Sequence, residues 1–177
     1  GWSLHLNSLE KIPENFNPEV GWSLHLSRVK KVSKGFRPIV DCNLYLESLE
    51  EIPEGFNPVV GKELHLSNVT KVFKNFNLKV GRDLHLENLK EIPKGFNPTV
   101  GNHLYLTGLK KIPKKFNPLI GGNLYLTGSL NTDANYTRLP ENYMFTWQNG
   151  KYIQVDNTIS KVISKKGNIF KVKGIGL

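Results

Sequence analysis

What this sequence has little of narrows it before any motif is read. Its 177 residues include one cysteine, Cys42, and one methionine. A lone thiol excludes an intrachain disulfide and any cysteine-clustered metal site, and it suits a reducing compartment. No stretch approaches the roughly 20 consecutive apolar residues of a spanning helix, so a soluble, cytoplasmic chain with no membrane partner is expected. A signal-peptide pattern is missing, and with Gly1 where an initiator Met would stand, a fragment or processed form is expected. The phrases G-x-S-x-G, H-E-x-x-H, G-x-G-x-x-G and the phosphate loop are also absent, so neither catalysis nor a cofactor is expected.

Acidic residues are scarce against basic ones, 15 against 24, for a net charge of +9. The imbalance is local. Residues 1–100 hold 13 basic and 12 acidic side chains, net +1, whereas residues 101–177 hold 11 and 3, net +8. The surplus sits on Lys110, Lys111, Lys114 and Lys115, then on Lys151, Lys161, Lys165 and Lys166. A basic end can meet phosphate or an acidic protein patch, but the chain offers no evenly basic groove.

What is present is a repeat. Units of 20 residues start at Gly1, Gly21, Asp41, Gly61, Gly81, Gly101 and Gly121, close to G-x-x-L-x-L-x-x-L-x-x-I-P-x-x-F-N-P-x-V, six complete and a seventh fading after Leu126. Leu4 and Leu6 alternate with Ser3, His5 and Asn7, the period of two that marks a strand with one buried face. Seven such strands in register would form a parallel sheet about 30 Å long. Leu9, Ile12, Phe16 and Val20 recur inward at spacings of three to four, which suits an irregular or 3₁₀ arc. Phe16, Phe36, Phe56, Phe76, Phe96 and Phe116 form a spine. Asn-Pro at 17–18 reads as the turn, and the glycine after it as the residue that lets the chain bend.

The phrase L-x-L-x-x-L-x-x-I-P resembles a shortened leucine-rich repeat, and I-P-x-G-F-N-P-x-V-G-x-x-L-x-L resembles repeats in uncharacterised bacteriophage and prophage proteins. The resemblance covers residues 1–126 and implies a right-handed parallel solenoid, mainly β. It departs from leucine-rich repeats where their Asn is replaced by Leu9, Val29, Leu49, Val69, Leu89 and Leu109. That removes a buried Asn ladder and points to a flattened β-solenoid rather than a horseshoe.

The solenoid is assigned to 1–128, a polar linker to 129–142 and a C-terminal antiparallel β module to 143–177. In the last, Gln148-Asn149-Gly150 sits between β-rich runs at 143–147 and 152–155, and Lys165-Lys166-Gly167 between runs at 158–163 and 168–172. Both read as hairpins that could cap the array. The phrase W-x-N-G-K-Y-I-x-V-D resembles a small domain at the C-terminal end of similar phage-like proteins.

Position 5 of each unit is the candidate partner-binding column: His5, His25, Tyr45, His65, His85, Tyr105 and Tyr125. Rings in register either stabilise the sheet alone, by about 0.2–1 kcal/mol per pair, or also grip a partner. No metal site is expected, because no acidic or cysteine ligand recurs beside the histidines and only His103 adds an imidazole. Glu63 and Asp83 share position 3, where an open face would leave them hydrated, and Cys42 replaces Trp2 and Trp22 in a packing position. Charges at positions 10, 11 and 14 alternate between Lys30, Lys31, Lys34 and Glu50, Glu51, Glu54, so neighbouring layers are expected to pair, and changing that Glu triplet to Lys to destabilise them.

The function expected is a non-catalytic interaction scaffold for a protein partner, in a phage or mobile-element setting by resemblance alone, with inhibition of a host defence nuclease as one concrete form. A nucleic-acid binder using the basic end with Trp147, Tyr152 and Phe170, and a self-assembling structural array, are the alternatives.

Overall fold

The computed structural model describes residues 1–127, apart from 75, 110–112, 114–115 and 117, together with four later strands. Each unit contributes two short strands. The odd set is β1 (Leu4–His5), β3 (Leu24–His25), β5 (Leu44–Tyr45), β7 (Leu64–His65), β9 (Leu84–His85), β11 (Leu104–Tyr105) and β13 (Leu124–Thr127). The even set is β2 (Glu19–Val20), β4 (Ile39–Val40), β6 (Val59–Val60), β8 (Lys79–Val80), β10 (Thr99–Val100) and β12 (Leu119–Ile120). Both sets pair parallel with a register shift of one unit, Leu4 on Leu24 and Val20 on Val40. The chain is thus a β-solenoid of about six turns and, among the described residues, contains no helix.

The alternation at positions 3 to 7 produces the first sheet as expected. The N–H groups of positions 4 and 6 donate to the carbonyls of positions 3 and 5 in the next unit, as in Leu4 to Ser23 and Leu6 to His25, both 2.9 Å. Leu24, Leu26, Leu44, Leu46, Leu64 and Leu66 are consequently sealed inside. The arc that the spacing described is irregular through positions 7 to 18 and ends in a second sheet at positions 19 and 20. It is two residues wide, with position 20 buried and position 19 facing solvent, so Ile39, Val59 and Leu119 are exposed beside buried Val40, Val60 and Ile120.

The chain reverses at positions 13 to 16, not at Asn-Pro. The Phe36, Phe56 and Phe96 N–H groups donate to Ser33, Pro53 and Pro93 carbonyls at 3.2–3.3 Å, and Gly35, Gly55 and Gly95 hold φ of 79–80°. A positive φ at the third residue of a four-residue turn is the type II signature, and glycine adopts it without steric cost. Asn-Pro instead leads into the even strand, since proline keeps its predecessor extended. The Asn17 Oδ1 accepts the Arg37 N–H and the Asn77 Oδ1 that of Asn97, both at 2.6 Å, so these exposed asparagines serve the backbone of the next unit from the outside. At position 9, where leucine-rich repeats place Asn, the turn is closed by backbone: Leu9, Leu49 and Leu89 donate to Leu6, Leu46 and Leu86 at 3.0–3.1 Å.

The phenylalanine spine is present. Phe36, Phe56, Phe76 and Phe96 are at most 2 % exposed, with successive ring centroids 6.0–6.2 Å apart. The chain bends at the glycines that open units four to seven, as expected, and what requires glycine there is close approach. None has a positive φ, and a Cβ on Gly61, Gly81, Gly101 or Gly121 would overlap the carbonyl oxygen one unit back.

At the far end β15 (Tyr152–Val155) pairs antiparallel with both β13 and β14 (Phe145–Gln148), and β16 (Lys161–Ile163) with β17 (Ile169–Lys171). The linker at 129–142 lies outside the described residues.

Candidate functional site

The parallel register of the odd strands carries position 5 of each unit directly over position 5 of the next. His5, His25, Tyr45, His65, His85, Tyr105 and Tyr125 therefore form one unbroken stack. Successive centroids lie 4.2, 4.5, 4.6, 4.3, 4.4 and 4.6 Å apart, with planes inclined by 19° or less. Past His5, which is exposed, the rings are half-buried: each covers its neighbour's flat face and turns an edge to solvent. His103 lies edge-on to Tyr105 and Tyr125.

Position 3 forms a second ladder, from side chain to backbone. The N–H of Ser23, Asn43, Glu63, His103 and Asn123 donates to Ser3 Oγ, Ser23 Oγ, Asn43 Oδ1, Asp83 Oδ1 and His103 Nδ1 respectively, at 2.8–3.4 Å. The residue types differ, but each offers an acceptor a few bonds from Cα, and that is all the ladder requires. The same column braces the rings from the side, with Asn43 Nδ2 donating to the Tyr45 hydroxyl at 2.9 Å and Asn123 Nδ2 to that of Tyr125 at 3.3 Å.

Charge on this face is one-signed. Positions 3, 5 and 7 hold no lysine or arginine, while Glu47, Glu63, Asp83 and Glu87 flank the middle of the stack. His65 Nε2 lies 3.2 Å from Glu63 Oε2, and His85 Nδ1 lies 2.8 Å from Glu87 Oε1. Burial alone would push the Glu87 carboxyl up. Hydrogen bonds from His85 and the backbone, the His85 charge and the Ser67 hydroxyl outweigh it and hold the carboxyl below its ordinary range. Burial, then Tyr125 and the carboxylates Asp83, Glu87 and Glu63, push the Tyr105 phenol up, as a negative field does.

Sequence reasoning missed one juxtaposition. Glu63, His65 and His85, half-buried together, each present a donor atom within 4.8 Å of the others. No acidic ligand recurs along the column, but in unit four a single one, Glu63, stands beside the two histidines. The expected pairing of charged layers also fails. Lys30, Lys31, Glu50 and Glu51 are exposed and line a shallow groove, yet among the described residues the only Lys or Arg ion pair is Arg28–Glu10 at 3.5 Å, 65 % exposed on both sides. Two parallel bridges bring Lys11 to Lys31 and Glu51 to Lys71 through backbone, but these side chains are exposed and form no ion pair.

Cys42 is a half-buried free thiol. Of the basic-end candidates, Lys110, Lys111, Lys114, Lys115, Lys151, Lys165 and Lys166 lie outside the described residues, and Lys161 opens β16. Trp147, Tyr152 and Phe170 fall on β14, β15 and β17. No helix among the described residues is long and apolar enough to cross a membrane. Compared with models of known families, with curated proteins and with solved structures, the chain matches none.

Proposed function

We propose that this chain is a non-catalytic interaction scaffold that holds a protein partner against the face built by positions 3, 5 and 7. The observation that carries the reading is the seven-ring stack. A rigid row of imidazole and phenol edges at a spacing of 4.2–4.6 Å offers donors and acceptors fixed in advance, so little side-chain entropy is lost on binding. A nucleic acid fits this face poorly. Single-strand recognition stacks bases on aromatic faces, and here those faces are consumed by one another. The flanking carboxylates repel phosphate. Polypeptide, which meets edges with backbone and side-chain polar groups, is the better match.

The setting we propose, a phage or mobile element acting in the bacterial cytoplasm by obstructing a host defence complex, rests on the resemblance of the repeat alone. The test is recovery of partners from host lysate by the full chain and by the triple variant Tyr45→Phe, His65→Phe, His85→Phe, which keeps the stack but strips its polar edges. Specific recovery is expected to drop at least about tenfold, the 1.4 kcal/mol of one lost hot spot. Unchanged recovery sinks the face and moves attention to the basic end. Binding to DNA or RNA that weakens with salt at about −0.9 per phosphate contacted supports the nucleic-acid alternative instead.

A further inference from the structure

Two histidine pairs in the column are stacked alike but flanked differently. His5 and His25 lie 4.2 Å apart, His65 and His85 4.3 Å. The first pair has Ser3, Ser23, Asn7 and Ser27 in its own units, with the Glu47 charge reaching His25 from the next unit but no carboxylate hydrogen-bonded to either ring, whereas the second has Glu63 against His65 and Glu87 against His85. From this asymmetry we propose that Glu63, His65 and His85 form a site for a first-row divalent cation of the zinc class, bridging units four and five.

Donor chemistry and reach agree with the assignment. Two imidazole nitrogens and one carboxylate oxygen suit Zn²⁺, Co²⁺ or Ni²⁺ better than Mg²⁺ or Ca²⁺, which prefer oxygen throughout. Zinc bonds of about 2.0–2.1 Å in tetrahedral geometry place ligand atoms about 3.4 Å apart. The 3.2 Å between Glu63 and His65 already meets that edge, and since no separation exceeds 4.8 Å, the set has about 1.4 Å at most to close. Glu87 supplies the outer support that metal-bound histidines commonly have: with Nδ1–H of His85 donated to it, the Nε2 lone pair is the one left for an ion. The ligands are 19 %, 19 % and 27 % exposed along their side chains, open to entry and partly shielded from water.

The stack sets a condition on this site. Parallel imidazoles, 8° from coplanar, aim their lone pairs side by side, so an ion held by both must splay them against the flanking rings of Tyr45 and Tyr105. Ion binding therefore reads out twice, as coordination and as a change at those two tyrosines.

The test uses the full chain without an affinity tag, titrated with Zn²⁺ by calorimetry and with Co²⁺ by visible absorption, while tyrosine fluorescence is followed. His85→Tyr installs the residue that the column already uses at Tyr45, Tyr105 and Tyr125. Glu63→Asn installs the position-3 residue of Asn43 and Asn123. Each therefore preserves the stack and the backbone ladder, and either one, folded by circular dichroism, decides the matter. One ion per chain is expected, with affinity lowered at least about tenfold in both variants and unchanged in His25→Tyr. Absence of saturable binding, equal binding by all variants, or an equal loss in His25→Tyr overturns the site. The titration needs no macromolecular partner, so its outcome is separate from that of the interaction face.

Discussion

Replacing Gly81 by alanine separates space from backbone freedom as the reason units four to seven open on glycine. A methyl at Gly81 would overlap the Gly61 carbonyl oxygen and lie 2.6 Å from its carbon, where side-chain carbons keep at least 3.0 Å. Units four and five must part locally, and the hydrogen bonds flanking the point, Gly81 N–H to Val60 at 3.0 Å and Arg82 N–H to Lys62 at 2.8 Å, stretch with them. Two bonds at about 1 kcal/mol each set a loss of roughly 2 kcal/mol, and residual overpacking adds about 1 kcal/mol or more. Gly55→Ala is the counterpart. Its φ is +80° but its nearest neighbour is 3.5 Å away, so the cost is the left-handed backbone alone, about 1–2 kcal/mol. Urea unfolding followed by far-ultraviolet circular dichroism compares the midpoints. If Gly81→Ala costs no more than Gly55→Ala, the close-approach reasoning is wrong.

Two further predictions follow from the surface. Changing Glu50, Glu51 and Glu54 together to Lys should move stability by less than about 1 kcal/mol, because these side chains are exposed and make no ion pair; a larger loss in thermal melting would restore the alternating-layer idea. Burial and then the neighbouring His5 lower the pKa of His25, with Glu47 opposing. His5 on β1 and Tyr45 on β5 are the titratable rings packed against it. The unfolded chain therefore takes up a proton near pH 6.5 that the folded chain resists. The stabilising contribution is intact above that pH and declines as pH falls through the lower folded value. Urea midpoints measured at about pH 7.5 and about pH 5.5 should drop less in His25→Tyr than in the parent, and equal drops would refute the assignment.

How much could be read from residues alone depended on how many copies spoke with one voice. Leu4 and Leu6 with their counterparts, and Phe16 with its own, repeat without exception, so the first sheet and the spine were legible. The second sheet was not: at positions 19–20 one residue faces inward and one outward, and two residues carry no measurable period. The turn at Gly35, Gly55 and Gly95 was obscured by the stronger Asn-Pro signal two residues on. The position-3 ladder mixes Ser, Asn, Asp and His, which share an acceptor atom but no residue class. Glu63 was read as a hydrated position-3 carboxylate, and its approach to His65 and His85 depends on side-chain rotamers that a residue pattern does not carry.

The position-3 ladder has a consequence for length. Ser3, Ser23, Asn43, Asp83 and His103 each serve the backbone of the following unit, so the column carries on across a removed unit. Excising residues 61–80 would join Val60 to Gly81, hand the Asp83 N–H to Asn43 and seat His85 on Tyr45, a histidine-on-tyrosine contact of the kind His65 makes already. Every unit adds about 4.8 Å. The molecule is in that sense a ruler, its span and its number of exposed ring edges set by counting whole units.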